Sequence, residues 1–481
     1  MDLLSELRRH FPFDSFRPGQ EEVLRRLAGG DSVLALMPTG AGKSLLYQFE
    51  AKTSPGLVLV ISPLIALMQD QTEKARELGI EATFINSSLS REEREKRQNR
   101  LARGDFRLLF VTPERFRRPG FRDCLRGREI SLFVVDEAHC ISLWGHDFRP
   151  DYSKLGELRR EFGDPRTLAV TATATPEVQK DIVRVLGLEG RMEIFSTGLE
   201  RPNLSLNVRD CYGLEEKTAV LVEELKKNPG TTIVYFTLID TLRQVSRALA
   251  KEGFRHLTYH GDLPADQRRK NLKIFMKDQA PLMLATPAFG LGIDRPDVRS
   301  LVHMELPGSL EAYFQEVGRA GRDGGISRGL LLFDEESDTA VQMEFLKWGN
   351  PEAAFLRRLY DLIESRRAEV DQGGFDFLRE QMSFKNRRDF RVEAGVNILE
   401  RWGCLAKTET PFPWTAMEPP TDEMIRDEKM PERLKNLSMK LLLVLRWAKD
   451  TDECRMRRIL EYFGAAGKDC GLCDVCRGEA G

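Results

Sequence analysis

The sequence predicts an α/β protein: two tandem domains, each a doubly wound parallel sheet, then a mostly helical segment and a small cysteine-rich module. Three observations lead there. Short apolar runs alternate with longer helix-like segments from residue 32 to residue 111 and again from 232 to 285, the rhythm of βαβ units. A glycine-rich turn, MPTGAGKS at 37–44, follows the first apolar run, and the second round of alternation has no counterpart to it. Four of the eight cysteines crowd positions 454, 470, 473 and 476.

The length of 481 residues suits about three domains at roughly 150 residues each. The hydrophobic fraction of 41% and charged fraction of 31% belong to a globular protein. No run approaches the roughly 18 apolar residues of a membrane span. The start, MDLLSELRRH, is too charged for a secretory signal, so a cytoplasmic protein is expected. A net charge of −2 gives no global attraction to nucleic acid. Any such binding has to come from local basic faces such as Arg91–Arg100 or Arg115–Arg118, which serve equally well as solvated surface. The cysteine clustering points to a metal rather than to disulfides.

In chain order, DSFRPGQEEVLRRL reads as a loop entering a helix. Gln20 can donate and accept at once, which suits the edge of an adenine; Phe16 can stack on the base, and Arg17 lies beside them. Ser32–Met37 form a strand, after which a turn through Thr39, Gly40, Ala41 and Gly42 can aim backbone N–H groups at a β-phosphate. Lys43 then reaches the β- and γ-phosphates and Ser44 can ligate Mg²⁺. The strict G-x4-G-K-[ST] pattern has glycine where this chain has Met37. Further strands are expected at Leu57–Ile61, Ala82–Ile85 and Leu108–Val111, with helices near 64–78 and 90–102. Ser62 and Thr112 close two of these strands with small hydroxyls, which suit phosphate contacts and strand-ending turns alike.

Leu132–Val135 read as a buried strand that delivers Asp136 and Glu137 to the carboxyl edge of the sheet, where ligands of such sheets bind. Beside a phosphate loop, Asp136 can complete a Mg²⁺ shell and Glu137 can position and deprotonate the attacking water. His139 follows. Trp144, His146, Phe148 and Arg149 then offer stacking faces and cations fit for single-stranded nucleic acid. LAVTATAT, 168–175, ends another strand in hydroxyls able to relay nucleotide state.

Phosphate loop, DEAH box and TAT element in this order resemble a superfamily-two helicase. FRPGQ, MPTGAGKS, SPLIALMQDQ and DEAHCIS-WGHDFRPDY resemble the RecQ family of DNA helicases in particular. The resemblance runs from about residue 10 to 335 and implies RecA-like motor domains. Two positions depart from the family pattern: Leu143 stands where it has glutamine, which removes a polar group between hydrolysis and DNA, and Pro12 replaces a glycine.

Arg201-Pro202-Asn203 begins the connection to the second domain, whose lack of a phosphate loop suits a partner that closes over the first. AFGLGIDRPDV, 288–298, and QEVGRAGRDG, 315–324, carry its signals. Arg319 and Arg322, three apart among glycines, can reach the γ-phosphate as arginine fingers. The resemblance adds Gln315 to the nucleotide site and implies a nucleotide-sensing role for Asp294.

Helical periodicity over 353–366, 375–382 and 387–402, followed by an apolar–polar alternation around prolines, suggests a winged helix; a helical spacer is the alternative. Cys454, Cys470, Cys473 and Cys476 suit tetrahedral Zn²⁺, with a helix-borne cysteine facing a tight turn that carries three more. An iron–sulfur cluster is the runner-up, but its usual x3-C-P continuation is replaced by RGEA. The family places its zinc module directly after the second motor, with the winged helix behind it. Here the winged helix precedes the zinc, or the intervening segment is something else. The family's optional C-terminal nucleic-acid-binding helical domain is not expected, for lack of chain after the cysteines. The expected domains are 1–205 (ATP-binding motor), 206–345 (second motor), 350–418 (winged helix), 419–450 (helical connector) and 451–481 (zinc module).

The function expected is an ATP-dependent helicase that unwinds duplex or branched DNA in repair and recombination, with ATP, Mg²⁺ and structural Zn²⁺. The resemblance implies 3′ to 5′ travel on single-stranded DNA. An ATP-switched DNA-binding or strand-annealing protein and an RNA remodeller are the alternatives. No membrane partner is expected; protein partners and oligomeric state are not in the sequence, and a monomer is the simplest expectation.

Overall fold

The computed structural model describes residues 2–38, 40–63, 65–86, 88–142, 150–279, 281–290, 295–383, 390–407, 411–425 and 429–479. They form two compact units, residues 1–333 with 447–481, and residues 334–446.

The first sheet has seven strands: β1 Ser32–Leu36, β2 Leu57–Ile61, β3 Ala82–Ile85, β4 Leu108–Val111, β5 Ile130–Asp136, β6 Thr167–Thr171 and β7 Met192–Ser196, in the order β3-β4-β2-β5-β6-β1-β7. Every pairing is parallel. Because side chains alternate across a strand, Leu34, Leu57, Leu59 and Val135 enter one core while Val33, Val58, Val60 and Val134 enter the other. Helices therefore cover both faces. β7 shows no apolar run because it is an edge strand, with Ile194 half exposed.

The second sheet has six parallel strands: β8 Leu204–Asp210, β9 Thr231–Tyr235, β10 Leu257–Tyr259, β11 Leu282–Ala285, β12 Val298–His303 and β13 Ser327–Phe333, ordered β10-β11-β9-β12-β13-β8. Its edge strand β8 is capped by the cysteine module: Asp474 Oδ2 accepts from Val208 N at 2.8 Å, and Ser205 Oγ donates to Leu472 O at 2.8 Å. Phe463 packs on Phe314 with ring centroids 5.6 Å apart. At Gly464, φ is +75° and a Cβ would stand 2.6 Å from Pro176 Cγ, so the same module also touches the domain of the first sheet.

The 334–446 unit has its own core. Helices Ala353–Ser365, Arg367–Ser383 and Arg391–Arg401 pack around Leu359, Ile363, Val370 and Val396. Gly395 lets two of them approach closely, since a Cβ there would meet Leu359 Cδ2 at 2.6 Å. β14 Leu405–Lys407 and β15 Trp414–Ala416 follow as an antiparallel pair. The second helix is longer than the expected 375–382 and carries a break at Gly374, where φ is +54°. Among the described residues no helix is long and apolar enough to cross a membrane.

Candidate functional site

Strand order assembles the site. β6 lies between β1 and β5, with Leu36 paired to Thr171 and Asp136 to Val170, so three loops leave the same sheet edge side by side. The phosphate loop leaves β1. Gly40 and Gly42 have φ of +87° and +76°, which a Cβ disfavours, and Gly42 caps helix Lys43–Thr53 without a capping side chain. Leu45 N donates back to Gly42 O at 3.1 Å, and the N–H groups of Lys43 and Ser44 ahead of it, which a helix start cannot satisfy internally, can meet an anion. Lys43 Nζ donates to Met37 O at 3.4 Å, folded back over the loop.

Gln20 and Arg17 brace this loop from outside. Gln20, 2% exposed, accepts from Arg17 N at 2.8 Å and donates to Ala41 O at 3.1 Å and Gly42 O at 3.0 Å. Arg17 Nη1 donates to Gly40 O at 2.6 Å. The adenine-reading expectation for Gln20 thus meets a side chain already tied to the phosphate loop. Phe16 stands edge-on to Phe49, centroids 6.0 Å apart.

Asp136 ends β5. Its Oδ2 accepts from Ser62 Oγ at 3.1 Å, and burial, with the neighbouring Glu137 carboxylate, pushes its carboxyl up to about 6. A buried acid held against its charge beside Lys43 and Ser44 fits a divalent cation, which would restore the ionised form. Glu137 is one of two non-glycine residues with positive φ among those described, at +48°, an outlier of the kind that clusters at active sites. Its Oε2 lies 3.4 Å from His139 Nδ1, which hydrogen-bonds Thr171 Oγ1 at 2.9 Å; Thr173 N donates to that same hydroxyl at 3.2 Å. The DEAH box and the TAT element are joined through His139.

The domain of the second sheet completes the cleft. A cavity of about 340 Å³ is lined from one side by Lys43, Ser44, Ser62, Asp136 and Glu137 and from the other by Gln315, Arg319 and Arg322. A Cβ on Gly40 would meet Arg322 Cγ and Cδ at 3.0 Å, so Arg322 already lies against the phosphate loop. The turn bearing both arginines is fastened by residues read from the sequence only as a connection. Arg201 Nη1 donates to Gly318 O at 3.0 Å, and Asn203 Nδ2 donates to Gly321 O at 2.7 Å and Gly325 O at 2.9 Å. No local pattern marks that role, because the partners lie about 120 residues away in sequence.

Several expected residues are placed differently. Ser62, Thr112 and His139, expected to touch DNA or couple to it, are 3%, 6% and 2% exposed. In this structure burial leaves them no open face for a strand, and Ser62 and His139 point their polar atoms into the nucleotide-side network. Thr39, Asp294, Leu143, Trp144, His146, Phe148 and Arg149 lie outside the described residues.

Cys454, Cys470, Cys473 and Cys476 bring their sulfurs within 4.8 Å of one another. Cys454 is the N-cap of helix Arg455–Tyr462 rather than a residue of the helix, which corrects the helix-borne expectation. Backbone N–H groups of Cys470, Leu472 and Cys476 donate to sulfurs at 3.2 to 3.4 Å, as they would to thiolates. Four convergent sulfurs with such donors fit tetrahedral zinc.

Two parallel-sheet domains facing one nucleotide cleft, with the phosphate loop in the first and arginines in the second, define an ATPase of the two-motor helicase class. Three family models match in turn: DEAD/DEAH box helicase over residues 17–182, helicase conserved C-terminal domain over 216–324, and RecQ zinc-binding over 421–477. The chain is 39% identical over 348 residues to the probable ATP-dependent DNA helicase RecS of Bacillus subtilis, covering 71% of this chain and 70% of that one. It is 39% identical over 343 residues to the ATP-dependent DNA helicase RecQ of Haemophilus influenzae, covering 71% of this chain but 55% of that one. Among solved structures, S. cerevisiae Dbp5 bound to RNA and ADP BeF3 superimposes with a TM-score of 0.55 at 19% identity, over 71% of this chain and 90% of Dbp5, a likeness of fold. The chain belongs to the RecQ family of ATP-dependent DNA helicases. It is an ATP-dependent helicase whose cofactors are ATP, Mg²⁺ and structural Zn²⁺.

Proposed function

We propose that this chain moves 3′ to 5′ along single-stranded DNA and separates duplex or branched DNA, working in the cytoplasm, as a monomer, in repair and recombination. The observation that carries the motor reading is the placement of Arg322 against Gly40 of the other domain's phosphate loop. In this reading Phe16, Arg17, Gln20, Thr39, Ala41, Asp294 and Gln315 surround the base and phosphates. Lys43, Ser44 and the backbone after Gly40 and Gly42 hold the polyphosphate. Ser44 and Asp136 would hold a Mg²⁺ ion, which when bound would supply charge neutralisation for the phosphate oxygens. Glu137 takes a proton from the attacking water, and Arg319 and Arg322 meet the charge that develops on the transferred group.

Strand separation has to be tied to that cycle, since each base-pair step resists with a mean of about 1.4 kcal/mol of stacking. The tie we propose runs from Glu137 through His139 and Thr171 to the loop 143–149, where Trp144, His146, Phe148 and Arg149 stack on and hold the strand, with Ser62 and Thr112 coupling from within. The three helices and the β14–β15 pair act as a winged helix against duplex DNA, ahead of the zinc module, with 419–450 as connector.

The test is ATP hydrolysis with matched single-stranded DNA and RNA, in wild type and Trp144→Ala. DNA should stimulate wild type strongly, RNA weakly, and Trp144→Ala should lose stimulation while keeping nucleotide affinity. Equal stimulation by RNA would favour an RNA remodeller. Intact stimulation in Trp144→Ala would remove the coupling role.

A further inference from the structure

The hydrolysis scheme leaves a set of buried polar and aromatic groups unused, and they form one continuous line. His303, at the end of β12, is 2% exposed, and its Nε2 hydrogen-bonds Glu316 Oε2 at 2.7 Å. Its ring stacks on Tyr235 at 5.6 Å and tilts against Tyr313 at 5.1 Å. Tyr313 in turn meets Trp447 at 4.5 Å. Trp447 Nε1 donates to Arg455 O at 3.1 Å, and Arg455 Nη1 donates back to Trp447 O at 2.6 Å. Arg455 then pairs with Asp474 at 2.9 Å, beside Cys454 and Cys473 of the zinc set.

The other end of the line reaches the nucleotide cleft. Tyr235 OH donates to Phe289 O at 3.3 Å, and burial pushes that hydroxyl up to about 12 while the Arg319 guanidinium beside it pulls the other way. Arg319 N donates to Glu316 O at 3.1 Å, and a Cβ on Gly290 would stand 2.7 Å from Arg319 Nη2. Helix Leu310–Val317 ends one residue after Glu316, and Arg319 follows its C-cap, Gly318. A buried imidazole–carboxylate pair is retained against its desolvation penalty, and one recognised use of such pairs is to fix a single geometry.

We propose that His303 and Glu316 are positioning residues for Arg319: their hydrogen bond pins the end of helix Leu310–Val317 to β12, and the ring stack ties that position to the zinc module. The proposal rests on the reading of Arg319 as a group that meets developing charge in the cleft.

The experiment measures ATPase kcat and KM of the full chain at saturating single-stranded DNA, with melting temperature as the check on folding. The variants are Glu316→Ala, His303→Gln, His303→Ala, Arg319→Ala and the double variant Glu316→Ala/Arg319→Ala. Glu316→Ala, which removes the acceptor, should lower kcat about tenfold or more with KM for ATP within about twofold of wild type, the signature of an interaction made only at the transition state. His303→Gln, whose amide can still donate to Glu316, should keep kcat within about threefold of wild type, while His303→Ala falls with Glu316→Ala. The double variant should be no slower than Arg319→Ala to within about twofold, because coupled residues are not additive. Losses that multiply in the double variant, or wild-type kcat in folded Glu316→Ala alongside a crippled Arg319→Ala, would overturn the positioning role alone. Wild-type kcat in Arg319→Ala would instead remove the reading of Arg319 on which it stands. Where His303→Ala fails to fold, Glu316→Ala and His303→Gln decide the matter.

Discussion

Asp136 and Glu137 are neighbours in the chain with different surroundings. Asp136 finishes a strand and is held by Ser62, whereas Glu137 turns out of the sheet through a positive φ that a β-carbon resists. On the proposed reading that turn parts the two carboxylates into a cation ligand and a base. Glu137→Gln keeps the shape and removes the base, so hydrolysis should fall by about 10² to 10⁴ while affinity for ADP stays within about twofold; a small loss in single-turnover hydrolysis would show that another group takes the proton. Both acids, the phosphate loop and the two arginines were legible in the sequence because each sits in a short pattern whose spacing carries its chemistry. Gln20 was legible as a functional residue but not as a brace, since its partners Ala41 and Gly42 come together only in the fold. Arg201 and Asn203 carried no local signal at all.

At the scale of elements, the phosphate loop depends on two backbone conformations that glycine supplies freely. Gly42→Ala would force an L-residue to φ +76° and bring a Cβ within 2.5 Å of Gln20 Nε2, in a braced loop with little room to yield. The expected outcome is a stability loss of about 1 to 3 kcal/mol and weakened ATP binding, read by denaturant unfolding and nucleotide titration. Unchanged titration would mean that the brace is loose. The zinc module is a second such element. Its four cysteines close a loop that positions Asp474 on β8 and Phe463 on Phe314. Structural zinc contributes about 10 to 16 kcal/mol to folding in model peptides, so Cys473→Ser should release the metal and unfold the module, read by metal analysis and proteolysis. One zinc per chain is expected in wild type; iron would contradict the assignment. The inner strands of the first sheet were legible because they are buried on both faces and read as apolar runs. The edge strands β7 and β8 were not, because polar residues interrupt them, and neither were the inner strands β12 and β13, where Arg299, Ser300 and His303, and Ser327, Arg328 and Gly329, break the run. The second helix of the 334–446 unit was read short because Gly373-Gly374 breaks its period.

For the whole molecule, one cleft takes its ATP-holding groups from the first motor domain and its arginines from the second, and the zinc module touches both. If the cleft opens and closes with the nucleotide, as proposed, both domains and any strand they hold move with it. If DNA travel follows from this cycle, unwinding has a direction and needs hydrolysis; if the protein only binds or anneals, it needs neither. The decisive measurement is single-turnover unwinding of one duplex carrying either a 3′ or a 5′ single-stranded tail, by wild type and Lys43→Ala, with ATP. The account predicts rapid product from the 3′-tailed duplex with wild type, little from the 5′-tailed duplex, and none from either with Lys43→Ala. Equal product from wild type and Lys43→Ala would contradict it.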